Sequence, residues 1–104
     1  MARSLGVTSL QILAAIRDGT CYGLDIVVAT GLPSGTVYPT LGRLRKSGLV
    51  KARWEDQRKA EREGRPRRKY YELTPRGVQT LAEGVSQIHD IAAALEANIS
   101  GEAG

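Results

Sequence analysis

The chain has 104 residues, 41% hydrophobic and 25% charged, which suffices for one modest core and excludes a catalytic domain beside a regulatory one. No apolar run approaches the roughly 20 residues that span a bilayer and the N-terminus lacks a secretory apolar stretch, so a cytoplasmic protein with no membrane partner is expected, and the lone Cys21 and lone His89 exclude an intramolecular disulfide and a Cys/His zinc site. The formal charge of +4 is local: Lys51 to Lys69 holds nine Lys/Arg against four Asp/Glu, a net +5 that leaves −1 for the rest, as an element contacting phosphates requires.

In chain order, Thr8-Ser9-Leu10-Gln11 reads as a capping box with Val7 and Ile12 at staple positions, and it starts a first helix at Thr8. The apolar positions Leu10, Leu13 and Ile16 recur at near-helical spacing, and Asp18-Gly19 supplies a stop. Tyr22–Thr30 predicts a second helix with Leu24, Val27 and Val28 on its core face, ended by Gly31-Leu32-Pro33. Ser34 is the expected N-cap of a third helix whose apolar stripe is Val37, Leu41 and Leu44 and whose end is Gly48. Pro39 deletes one backbone bond near its start, so mild distortion is expected there.

Leu49–Glu55 alternates, with Val50, Ala52 and Trp54 on one side and Lys51, Arg53 and Glu55 on the other, and Tyr71 with Leu73 repeats the pattern. Two antiparallel strands are predicted. Between them, Asp56–Lys69 carries Gly64 and Pro66 among charges and is expected to be an exposed, mobile loop. Thr74 and Pro75 then stand at N-cap and N1 of a last helix. Val78, Leu81, Val85, Ile88, Ala92, Leu95 and Ile99 follow at alternating steps of three and four, a heptad seam in which Gly84 is the one weak helix former. The end, Ser100–Gly104, is expected to fray.

This order predicts an α+β fold, mainly α with a small β-hairpin: a winged helix-turn-helix over residues 1–75 and a long C-terminal dimerisation helix over 76–100, in a single compact unit. The third helix is the candidate recognition helix. With Val37, Leu41 and Leu44 on the core, Gly35, Thr36, Pro39, Gly42, Arg43 and Lys46 face outward, flanked by Tyr38 and Arg45. Small residues let such a face enter the major groove closely, Thr36 can reach a base edge or thymine methyl, and Arg43 suits guanine O6 and N7. Arg65, Arg67, Arg68 and Lys69 of the wing would track a phosphate backbone or place an arginine in the minor groove, which positions rather than specifies. Tyr38 has two readings, packing at the helix edge and phosphate contact.

The run Leu32-Pro33-Ser34-Gly35-Thr36-Val37-Tyr38-Pro39-Thr40-Leu41-Gly42-Arg43-Leu44 is followed by Lys46-Ser47-Gly48-Leu49-Val50, then by Gly64 to Lys69 and Tyr70-Tyr71-Glu72-Leu73-Thr74-Pro75-Arg76-Gly77. Together these resemble the PadR family of bacterial transcriptional regulators, and Tyr22-Gly23 before the second helix fits the same pattern. The resemblance covers residues 8 to 80 or so and implies a homodimeric repressor of the short type, with a single C-terminal helix. It further implies binding to a palindromic operator on double-stranded DNA, association with the nucleoid when bound, and release by a small-molecule effector or stress signal. No cofactor is implied. The predicted DNA-binding set is therefore Tyr22, Ser34, Gly35, Thr36, Tyr38, Pro39, Arg43, Lys46, Arg65, Arg67, Arg68 and Lys69, and the predicted dimerisation set is the heptad seam.

Two other functions stand beside this one, a winged-helix module for protein partners and a less specific nucleic-acid binder. The first need not carry a +5 wing, and an RNA binder would show stacking aromatics, which are scarce here. The seam has its own alternative, packing on its own domain, and Val78 and Leu81 are expected to serve both purposes. Trp54 is read as a packing residue rather than a stacking site for an effector. Cys21 at a helix start reads as structural rather than redox-sensing, and His89 as a surface residue. With no His/Asp/Ser grouping, phosphate-cradling loop or paired carboxylates, the chain is not predicted to be an enzyme.

Overall fold

The computed structural model describes residues 5–103, with side chains as far as Asn98. Its elements are α1 (Val7–Arg17), α2 (Gly23–Thr30), α3 (Ser34–Lys46), β1 (Val50–Trp54), α4 (Gln57–Arg62), β2 (Lys69–Leu73) and α5 (Pro75–Ala103). The fold is the predicted one: mainly helical, with a two-stranded antiparallel hairpin and a long C-terminal helix.

Helix α1 buries Leu10, Leu13 and Ile16 as expected, and Ile12 with them. The capping box does not form. The helix starts at Val7 behind Gly6, with no side-chain cap, so Thr8 already lies inside the first turn and its hydroxyl is misplaced for capping. Gly19 ends this segment with φ +99°, a conformation that glycine adopts without a β-carbon clash.

Helix α2 corrects the sequence reading of its core face. Gly23 and Ile26 are buried and Val27 packs against the core as expected, whereas Leu24 and Val28 are 67% and 78% exposed. Leu24, Ile26, Val27 and Val28 together wrap most of the helix circumference, so apolar spacing alone leaves the rotation open. The Tyr38 ring from α3 decides it, because a β-carbon on Gly23 would stand 2.6 Å from Tyr38 Cε1.

Helix α3 buries Val37, Leu41 and Leu44 as predicted, together with Thr40, whose hydroxyl donates to the Thr36 carbonyl at 2.7 Å and so is satisfied in the core. Ser34 is the first helical residue rather than the cap. Pro33 occupies the N-cap position, and its carbonyl accepts from the Thr36 and Val37 N–H groups.

The hairpin pairs Val50 with Leu73, Ala52 with Tyr71 and Trp54 with Lys69, and sets Val50 and Tyr71 into the core cluster. From Trp54 onward three expectations fail. Glu55, assigned to the outer face, is buried. The segment after it is not a loop throughout: the Asp56 carboxylate accepts from the Arg58 N–H at 2.7 Å, caps α4, and Ala60 of that helix is buried. Trp54, the last residue of β1, is 57% exposed instead of packed.

Helix α5 opens as predicted, with the Thr74 hydroxyl oxygen accepting from the Gly77 N–H at 3.0 Å and Pro75 as the first helical residue. The same hydroxyl donates to the Gly48 carbonyl at 2.6 Å, which fastens α5 to the end of the α3–β1 turn. Of the described seam residues only Leu81 is buried. Val78, Val85, Ile88 and Leu95 are exposed, as is Ile91, which the seam omitted, and the Ile99 side chain lies outside the described residues. Gly84 marks where α1 crosses, since a β-carbon there would meet Leu10 at 2.5 Å. The backbone stays helical through Ser100 to Ala103, where fraying was expected, and Gly104 lies outside the described residues. Among the described residues no helix is long and apolar enough to cross a membrane.

Candidate nucleic-acid interface

The outer face of α3 follows from its buried one. Ser34, Gly35, Pro39, Arg43 and Lys46 are exposed, and Thr36 and Gly42 are partly so. A β-carbon added at Gly35 or Gly42 would meet nothing within 4 Å, so the protein's own packing does not demand glycine at either position. Arg43 Nη2 donates to Thr40 Oγ1 at 2.9 Å, one helical turn back, which holds the guanidinium along the helix and leaves its remaining donors to solvent.

Beside α3, four of the predicted residues converge. Tyr22, Tyr38, Arg68 and Lys69 surround a cavity of about 450 Å³, with Leu24 and Asp25 on its α2 side. The Tyr38 ring rests on Gly23, as the packing reading expects, and is 47% exposed at the cavity. Tyr22 stands edge-on to Tyr70, with ring centroids 6.2 Å apart, and the Arg68 guanidinium lies 3.9 Å from the Tyr22 ring centre. Arg67 and Lys69 flank Trp54 at 5.2 and 5.7 Å.

Arg65 is placed differently from the other wing cations. Its guanidinium grips the Glu55 carboxylate with two bonds, at 2.5 and 2.9 Å, and pairs with Glu63 as well. That fork holds the Glu55 carboxyl down at about 2, against burial, which pushes it up, while the Arg68 N–H and the charges of Arg65 and Arg68 add to the lowering. The Arg65 guanidinium is raised above its usual value, chiefly by the same bond. Arg67, Arg68 and Lys69 remain at the surface and the cavity, whereas the Arg65 side chain is only 23% exposed.

Residues 12–83 match the model of the transcriptional regulator PadR-like family. The chain belongs to that family. PadR-like proteins are transcriptional regulators, and the family supports DNA-binding transcriptional regulation for this chain. Its fold is similar to that of a PadR family regulator from hypervirulent Clostridium difficile, with a TM-score of 0.79 at 24% identity over 90% of this chain and 99% of that one. A PadR-like regulator from Bacillus cereus gives 0.75 at 24% identity over 90% and 92%. BpsR of Bordetella bronchiseptica, whose DNA binding is regulated by 6-hydroxynicotinic acid, gives 0.69 at 26% identity over 88% and 64%. No curated protein sequence matches significantly.

In this PadR-like chain the residues that sequence reasoning missed are Glu55 and Trp54. No local pattern marks Glu55, because its partner Arg65 lies ten positions further on. Trp54 carried a signal that alternation concealed, namely Arg67 and Lys69 in the same hairpin, cations that an exposed indole can hold on its face.

Proposed function

We propose that the protein is a sequence-specific transcriptional repressor that binds a palindromic operator as a homodimer, with α3 in the major groove and the hairpin on the flanking backbone. The observation that carries this reading is the outer face of α3. Gly35 and Gly42 leave it flat where nothing in the protein needs them to, Arg43 and Lys46 lie further along it, and the cavity holding Tyr38, Arg68 and Lys69 adjoins it. A face without β-carbons lets the helix backbone approach base edges, and adjoining cations bind the phosphates on either side.

The homodimer is supported by α5. Among the described residues of α5 between Val85 and Leu95, the large apolar side chains Val85, Ile88, Ile91 and Leu95 are 43–57% exposed, and an isolated helix exposing such a stripe gains little from being helical in water. A second copy packed along Val85, Ile88, Ala92 and Leu95 supplies the missing contact and sets two recognition helices on two half-sites. An unidentified small-molecule effector completes the proposal, by analogy with the regulation of BpsR by 6-hydroxynicotinic acid.

The test is a titration of labelled duplexes, one carrying a genomic fragment selected by the protein and one scrambled, at 50 and 200 mM salt. The reading predicts a preference for the selected fragment of roughly 1,000-fold or more, with both affinities falling as salt rises. Equal affinity for the two duplexes overturns it.

A further inference from the structure

Glu55 is the one acidic residue buried among the described residues, and it sits in the most basic part of the chain. Its carboxylate gathers groups from three separate segments. Arg65, beyond α4, binds both oxygens. Arg68, at the entry to β2, adds its backbone N–H at 3.4 Å and its guanidinium at 3.5 Å, and the Tyr22 hydroxyl at the head of α2 donates at 3.4 Å. The Glu55 N–H in turn donates to the Arg68 carbonyl at 2.7 Å. A buried carboxylate is costly unless its partners are placed for it, and here they are placed from α2, from the wing and from the second strand at once. The same Arg68 guanidinium lies over the Tyr22 ring, so Glu55 fixes two of the groups that wall the cavity beside α3.

We propose that Glu55 is a positioning residue of the DNA interface, which withdraws Arg65 from phosphate contact as a strut and sets Arg68 and Tyr22 at the mouth of the cavity. The proposal rests on the reading of the hairpin as a DNA-binding wing. It assigns Arg65 a role opposite to the one its position in the basic segment suggests. It also reverses the ordinary expectation for Glu55, since removing a negative charge beside DNA would by itself tighten every complex.

The test compares Glu55→Gln and Arg65→Lys with the unaltered full chain, on the selected and the scrambled duplex, across 50 to 200 mM salt, with a thermal melt of each variant. Glu55→Gln is expected to bind the scrambled duplex at least as tightly as the parent, and the selected duplex about five- to tenfold more weakly, because register depends on fixed phosphate contacts and non-specific binding does not. Releasing Arg65 from Glu55 leaves it only the exposed Glu63 as a partner, so the slope of log K against log salt steepens, by no more than about 0.9 per protomer. Arg65→Lys keeps the charge but loses the two-bond fork, and it is expected to lower the ratio of the two affinities without changing the parent slope. Glu55→Gln that tightens both duplexes equally, or Arg65→Lys that leaves the ratio unchanged, overturns the proposal, whatever the melts show. A parent that fails to discriminate between the duplexes overturns the DNA reading itself and this inference with it, whereas a discriminating parent with equally discriminating variants overturns this inference alone.

Discussion

The α-carbon of Gly77 lies so close to the Leu49 carbonyl that a β-carbon would overlap the oxygen, which already accepts the Thr74 N–H at 3.1 Å. The first turn of α5 therefore presses backbone to backbone on the start of the hairpin. Alanine in a helix ordinarily stabilises by up to about 1 kcal/mol over glycine. Here Gly77→Ala is expected to destabilise by about 1–3 kcal/mol, since the obstacle is main chain and cannot rotate away. A thermal melt with a midpoint at or above the parent's would contradict this.

Gly42→Ala should behave in the opposite way on stability. Nothing lies within 4 Å of the added carbon, so the helix gains and the melting point rises by the equivalent of about 0.5–1 kcal/mol. The methyl group stands on the face assigned to the major groove, and affinity for the selected duplex is expected to fall about tenfold, or ~1.4 kcal/mol. A more stable variant that binds as tightly as the parent would remove Gly42 from the interface.

Acid should loosen the hairpin through Glu55. Its folded value of about 2 lies below the ordinary 4.5, so its contribution to stability is full above pH 4.5 and is lost as pH falls towards 2. Trp54 is the only tryptophan and sits next to Glu55, which makes its emission a local reporter. Between pH 5 and 2 the parent's emission should change more than that of Glu55→Gln; identical acid profiles would show that the carboxylate contributes nothing.

The α5 stripe has a direct test in Ile88→Glu. A charge in an apolar seam costs several kcal/mol unless it is paired, so the variant should sediment as a monomer at micromolar concentration and bind the selected duplex at least tenfold more weakly. A parent that sediments as a monomer, or a variant with unaltered DNA binding, would show that the stripe is not a dimer contact.

How far the sequence reached can be read from particular residues. Val37, Leu41 and Leu44 settle α3 because one stripe of apolar residues stands against an otherwise polar helix, which leaves a single rotation that buries them. Thr74-Pro75 marks the start of α5 through local hydrogen bonding alone. The failures share a different cause. The rotation of α2 depends on a ring from α3, the burial of Glu55 on an arginine ten residues away, and helix α4 on one aspartate cap and one buried alanine within a charged run. None of these is a periodicity. The outer face of α3 was legible as the complement of its buried face, whereas the inward turn of Arg65 was not, because composition counts charges without showing which are already paired.

The central claim is that this protein reads base sequence through the outer face of α3. The most direct measurement is selection from a pool of randomised duplexes by the full chain and by Arg43→Ala. The account predicts that the parent enriches a two-fold symmetric motif with half-sites about one helical turn apart, roughly 10 base pairs, and that Arg43→Ala loses the preference at one position in each half-site at a cost of about 1–3 kcal/mol. A parent that enriches no motif, or an Arg43→Ala protein that enriches the same motif with every position intact, would contradict it.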